Sequence, residues 1–262
     1  MTPLSVETHG HLGFRPATGF SFARRVTALP LAVWEIVRTA QAMPVVFEQR
    51  DGRWQAVAVM GSSQGVNAHV SPDGRWCAGV VPITFRLYPF CTDDKGRLCL
   101  VEGVQIEPRD LPGVTAFYEG DVLAPRIRQA ARYLSVRAKG ISGVERALDV
   151  LNRSKALLPI DTVAAKRCSL AATAGDAFVL DAKRLAALDD ETALMLFRSG
   201  ALHWLYAHLD SLHHLDRLER RAKAVMAPNV ARVAEPSFGG AAADVVSALA
   251  EDMGDAYLWL QK

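Results

Sequence analysis

The chain has 262 residues, 50% of them hydrophobic and 22% charged, an ordinary globular composition that supports one large domain or two small ones. Thirty Lys and Arg against 28 Asp and Glu leave a net charge of +2. The signs are mixed along the chain, so no basic field points to nucleic acid, and no apolar run approaches the ~18 residues of a membrane span.

The N-terminal run MTPLSVETHGHLGFRP has no positive segment followed by an apolar one, so nothing marks it for secretion. Cys77, Cys91, Cys99 and Cys168 form no C-x-x-C pair. Reduced thiols and a cytoplasmic location are the expectation.

Residues 1–29 read as irregular, punctuated by Gly10, Gly13, Pro16 and Gly19, with His9 and His11 as surface histidines. Pro30 is placed to start a helix whose apolar stripe uses Leu31, Val37 and Ala40 and which stops before Pro44. The period then changes to two. Val45–Phe47, Trp54–Met60, Val66–Val70 and Arg75–Val81 read as strands, with hairpin turns at Arg50-Asp51-Gly52-Arg53 and Ser71-Pro72-Asp73-Gly74. Pro82–Tyr88 suits a single helical turn, and Leu98–Val101 with Val104–Ile106 complete an antiparallel meander of five or six strands.

After a Pro- and Gly-rich loop, Pro108–Asp121, the pattern turns helical from Ala124, with a second helix over Val144–Leu151. Thr162–Leu170 and Ala177–Leu180 read as a late hairpin around Ala174-Gly175-Asp176. Asp181 and Asp189 are each placed to cap a helix. The last long helical pattern runs from about Glu191 to Lys223, with Gly200 as a break or a close-packing point. The organisation is therefore a main domain over 1–223, β-rich at 30–107 and mainly helical at 122–223. An Ala/Pro/Gly linker over 224–243 and an amphipathic helix over 244–262 follow it. The fold class is α+β: an N-terminal antiparallel β-meander packed against a C-terminal helical region.

Several separated stretches then stand together: FSFA at Phe20–Ala23, MPVVF at Met43–Phe47, N-x-x-V-x-x-D-G-R-W from Asn67 to Trp76, P-x-x-x-R-x-Y-P-F from Pro82 to Phe90, and RSGALHWLYAHLDSL from Arg198 to Leu212. In that order they resemble the SapC family, named for a protein associated with bacterial surface-layer loci. The resemblance covers about residues 5–222. Val80 stands where the family pattern has an aromatic residue, and a single arginine, Arg86 before Leu87, where the family often has two. It implies an accessory protein working beside surface-layer or outer-membrane uptake systems, with no cofactor and no established reaction.

The ligand-binding candidates lie in the central stretch. Arg86 sits among Phe85, Tyr88 and Phe90, and a guanidinium held by aromatic faces is prearranged for a carboxylate or phosphate. The bland alternative is an internal ion pair with Asp73 or Glu102, or an arginine that only closes the fold. Asn67 and His69 share a strand face by period two, and Trp76 is most simply core. In the late helix, His203, Asp210 and His214 fall on one stripe and are the weak metal candidates. A solvated face explains that stripe as well. His208 flanks the apolar stripe and reads either as a satisfied core histidine or as an acid–base group. There is no Walker loop and no G-x-G-x-x-G, and Cys77, Cys91 and Cys99 sit in strand-like surroundings where inert burial is expected.

Two functions follow. The first is an accessory or binding protein that recognises a peptide, an anionic group or a protein partner through Asn67, His69, Trp76, Arg86 and Tyr88. The alternative is an enzyme that modifies a peptide or small molecule, with His208 as acid–base and Arg86 as anion clamp. A homo-oligomer fits either.

Overall fold

A computed structural model of the protein describes residues 1–61, 65–160 and 177–226. They fall into two compact units. Among the described residues, the first contains Met1–Gly19 and Val81–Ala138; the second contains Phe20–Val80 and the described residues from Lys139 to Met226. The expected Thr162–Leu170 strand, the turn at Ala174–Asp176, Cys168, most of the linker and the terminal helix lie outside the described residues.

In the first unit, the strands Thr2–Pro3, Leu98–Leu100 and Phe90–Thr92 pair in that order, and Ile106–Pro108, Leu12–Phe14 and Thr115–Ala116 form a second antiparallel sheet. The first turns of the helix Pro125–Ile141 bury Ile127, Ala130, Tyr133 and Leu134 against Phe14, Phe90 and Phe117. Phe14 stacks on Phe117 at 5.6 Å and meets the edge of Phe90 at 5.2 Å. His9, expected on the surface, is buried instead. A short helix, Val6–His9, capped by Ser5, turns the ring edge-on to Phe117, and Thr8 Oγ1 bonds its Nδ1 at 2.7 Å.

The second unit is built on a five-stranded antiparallel sheet in the order Leu157–Pro159, Ala177–Leu180, Val45–Arg50, Arg53–Val59, Ala28–Leu31. Its central hairpin turns at Asp51 (φ +51°) and Gly52 (φ +76°), the two positive φ angles of a type I′ turn. Val45, Val46 and Phe47 are all fully buried, as a strand covered on both faces requires. Val46, Val57 and Val179 face Leu215, Leu218 and Ala222 of the helix His214–Met226. Phe47, on the opposite face by alternation, meets Trp204 of the helix Ala201–Ser211 at 5.9 Å. Antiparallel sheets in the N-terminal part and helices in the C-terminal part make the fold α+β.

Three expectations are corrected in detail. Pro30 starts no helix; it lies in the strand Ala28–Leu31 at the sheet edge, where a missing N–H faces no partner strand. The helical turn begins after Ala32, whose N–H is taken by the Glu35 carboxylate at 2.6 Å. Second, the meander is not one sheet. Val66–Val70 and Arg75–Val81 form only two isolated bridges, Gly61 with Asn67 and Val70 with Trp76. Local side chains take the ladder's place there: Asn67 Oδ1 accepts the His69 N–H and Ser71 Oγ accepts the Arg75 N–H, both at 2.9 Å. Third, the long helical run is three helices, Asp190–Arg198, Ala201–Ser211 and His214–Met226. Gly200 (φ +72°) makes the first break, as expected. At the second, Ser211 Oγ bonds back to the His208 carbonyl at 2.6 Å, a side-chain bond that competes with the helix. Asp181 and Asp189 cap their helices as expected.

Candidate functional site

The five ligand candidates divide between the units. Asn67, His69 and Trp76 belong to the second, Arg86 and Tyr88 to the first. Asn67 has no exposed surface, and its carboxamide is spent on the chain: Nδ2 donates to the Ala23 carbonyl at 3.2 Å while Oδ1 holds the His69 N–H. Trp76 is buried, donates Nε1–H to the Val80 carbonyl at 2.9 Å, and packs between Phe20 and His69.

His69 differs. It is 2% exposed, and Arg221 Nη1 lies 3.2 Å from its Nδ1. A guanidinium only donates, so Nδ1 is the acceptor and the ring proton sits on Nε2. That buried nitrogen has no hydrogen-bond partner among the described residues. Burial, followed by the charges of Arg221, Arg217 and His214, pushes the His69 pKa down to about 3. The ring is neutral, and the groups that set its titration are all cationic or potentially so.

In the first unit, Arg86 ends the single helical turn Ile83–Arg86, and its Nε donates to the Val81 carbonyl at 3.2 Å, alongside further contacts. Phe85 and Phe90 on either side are buried and Tyr88 is half-buried. Asp73, a suggested partner for Arg86, is bound by Arg75 at 2.6 Å and by Ser71.

His208 is fully buried with both ring nitrogens committed. Nδ1–H donates to the Val45 carbonyl at 2.7 Å, and Nε2 accepts the Leu180 N–H at 3.0 Å. The register that pairs Ala177 with Glu48 and Phe178 with Phe47 would set Leu180 opposite Val45. The strands have parted by then, and the imidazole fills the gap. Ser211 Oγ, one turn along the helix, accepts the Val45 N–H at 2.9 Å. Two helix side chains thus replace two ladder bonds. Burial holds the His208 pKa down at about 4 against the opposing bond to Val45. To shuttle a proton, the ring would have to release a strand, so this geometry describes a structural histidine.

Residues 4–218 match the SapC family model. The chain belongs to the SapC family. No curated protein and no solved structure gives a match.

The remaining SapC candidates are dispersed. His203 and Asp210 are exposed on the helix Ala201–Ser211, whereas His214 is buried at the start of the next helix, so the stripe is interrupted. Among the described residues, no group of three or more His, Cys, Asp or Glu is placed to hold a metal. His208-x-Asp210 has the spacing of two facial-triad ligands, yet i, i+2 on a helix points them apart, one buried and one exposed. Gly61-Ser62-Ser63-Gln64-Gly65 spells G-x-S-x-G after the strand Arg53–Val59. The nucleophile elbow needs a helix next, and here Asn67 bridges back to Gly61 instead; Ser62–Gln64 lie outside the described residues.

One feature was not predicted from the sequence. In the second unit, Arg146, Glu191, Leu194, Met195, Arg198 and Ser199 line a groove of about 440 Å³. Leu194 is 46% exposed, and Phe197, one turn along the same helix, is 67% exposed. The available signal was Leu194 and Phe197 at i, i+3 in Asp190–Arg198, off the stripe that buries Leu196.

Proposed function

We propose that this SapC chain is a non-catalytic accessory protein that binds a peptide or protein partner, in the setting of surface-layer or outer-membrane uptake that its family suggests. The groove beside the helix Asp190–Arg198 supports this reading best. Exposed large apolar side chains beside a groove mark interaction surfaces. Two arginines, Arg146 and Arg198, and one acid, Glu191, flank it, so the partner segment is amphipathic and acidic, with its apolar face on Leu194 and Phe197.

The test uses two synthetic amphipathic peptides of equal hydrophobicity, one acidic and one basic, titrated into isotopically labelled protein at low salt. Saturable amide shifts at residues 191–199 with the acidic peptide, weakened by salt and absent in Leu194→Asp, support the proposal. Equal shifts with the basic peptide, or none with either, refute it.

A second reading has its own observation, the unpartnered Nε2–H of His69 beside Arg221. A buried donor among cations suits a carboxylate or phosphate oxygen. Inorganic phosphate and acetate, titrated separately while the His69 ring is followed by NMR, test it: a saturable shift that Arg221→Met removes is expected. A response no larger than that of the other histidines counts against it.

A further inference from the structure

We infer that Cys91 and Cys99 are a thiol pair that closes reversibly to a disulfide by exchange with a small-molecule disulfide, with Cys91 taking the first attack. The sheet register carries this. Phe90–Thr92 and Leu98–Leu100 are antiparallel neighbours, and Cys91 stands directly opposite Cys99, so both side chains leave the same face. Phe90 and Leu100, the next pair along, belong to the aromatic core on the other face. Cys91 Sγ lies 3.7 Å from the Cys99 carbonyl oxygen, above the partner residue.

The flanking bonds fix the kind of pair. Asp93 N–H donates to the Arg97 carbonyl at 3.1 Å and Val101 N–H to the Pro89 carbonyl at 3.0 Å. By alternation, Cys91 and Cys99 form a hydrogen-bonded pair with Cα atoms about 5.5 Å apart, inside the ~4.4–6.8 Å that a disulfide spans. The Cβ atoms of such a pair, about 5.5 Å apart, exceed the usual ~3.8 Å, so closure twists the ribbon and leaves a readily reduced bond.

Exposure sets the order of events. Cys91 is half-buried and reachable, whereas Cys99 is fully buried. With oxidised glutathione as the oxidant, the Cys91 thiolate attacks one sulfur of the disulfide. This forms a Cys91–glutathione mixed disulfide and releases one glutathione thiolate. The Cys99 thiolate then attacks the Cys91 sulfur, the protein disulfide forms, and the second glutathione leaves. Two protein thiols are oxidised and one glutathione disulfide is reduced to two thiols, which take up the two protons that the cysteines lose. Burial and the facing Cys99 hold the Cys91 thiol above its ordinary range, so the exchange accelerates as pH rises.

Trypsin gives a direct test, because Lys95 and Arg97 lie between the two cysteines. Folded full-length protein is incubated with oxidised glutathione, alkylated and digested without reductant. The expected product joins the peptide Leu87–Lys95 to Leu98–Arg109, and it is lost on mild reduction. Cys99→Ser should stop at glutathione on Cys91, and Cys91→Ser should leave Cys99 unmodified and no joined peptide. Wild-type protein that accumulates glutathione on Cys91 while Cys99 remains alkylatable on denaturation overturns the inference. So does Cys99 glutathionylated in Cys91→Ser as fast as Cys91 is in the wild type.

Discussion

Replacing His208 by phenylalanine tests whether an inserted imidazole holds two strands of the central sheet. Phenylalanine keeps an aromatic ring beside Phe47, which lies 4.3 Å from the His208 ring centroid, so the cavity contribution stays small. The substitution leaves the Leu180 N–H and the Val45 carbonyl, both buried beside the helix, without the partners that now sit at 3.0 and 2.7 Å. Each stranded group costs about 1–3 kcal/mol, so the loss is about 2–6 kcal/mol, a large part of a typical total of about 5–15. His208→Gln, which retains a donor and an acceptor, should recover part of it, and His208→Ala should lose more by adding a cavity. Acid adds an independent signature. The folded pKa of about 4 lies below the unfolded value of about 6.5, so the unfolded chain binds the proton first. Stability is therefore full above about pH 6.5 and falls as pH drops towards the folded value, by about 2 kcal/mol at pH 5 from this residue alone. Chemical denaturation at pH 7.5 and pH 5 measures both effects. A His208→Phe protein as stable as the wild type at pH 7.5, or one that loses as much stability on acidification, refutes the reasoning.

Asn67→Ala removes the bonds to the Ala23 carbonyl and the His69 N–H and should cost about 2–4 kcal/mol by denaturant titration. Gly200→Ala places a side chain at φ +72° and should cost about 1–2 kcal/mol, with helicity by circular dichroism almost unchanged. Arg198→Glu should weaken binding of the acidic peptide about tenfold at low salt, through lost charge complementarity, and leave the melting temperature within about a degree. His69→Phe should remove a second part of the acid lability, because a folded pKa of about 3 again means stability present at neutral pH and lost below about 6.5.

Local chemistry was legible in the sequence wherever a few neighbouring residues decide the outcome. Asp51-Gly52 specifies its turn, Asp181 and Asp189 their caps, Gly200 its break, and the spaced runs from Phe20 to Leu212 the family. The rest depends on partners distant in sequence. Whether Pro30 starts a helix or edges a sheet is decided by pairing with Val57, and the proline is compatible with both. Asn67 and Ser71 carry no mark showing that their side chains will replace a ladder. The bonds of His208 to Val45 and Leu180 follow from the divergence of two strands whose sequence separation is more than a hundred residues. The groove at Leu194 exists only because Arg146 arrives from another helix.

Two of the buried histidines, His69 and His208, show why burial and a lowered pKa do not by themselves identify a functional group. His69 and His208 are almost equally inaccessible, and desolvation is the largest cause of the shift in both. What separates them is where each ring proton goes. His208 donates to one strand and accepts from another, so its neutral form is fully used and any ligand would compete with the sheet. His69 accepts from Arg221 and has its remaining donor unpartnered among the described residues, with no carboxylate among the groups that set its titration. An anion arriving at His69 displaces no backbone bond and meets a guanidinium already at hydrogen-bonding distance. In this SapC chain, that difference makes His208 part of the scaffold and His69 the histidine at which the phosphate and acetate titrations are aimed.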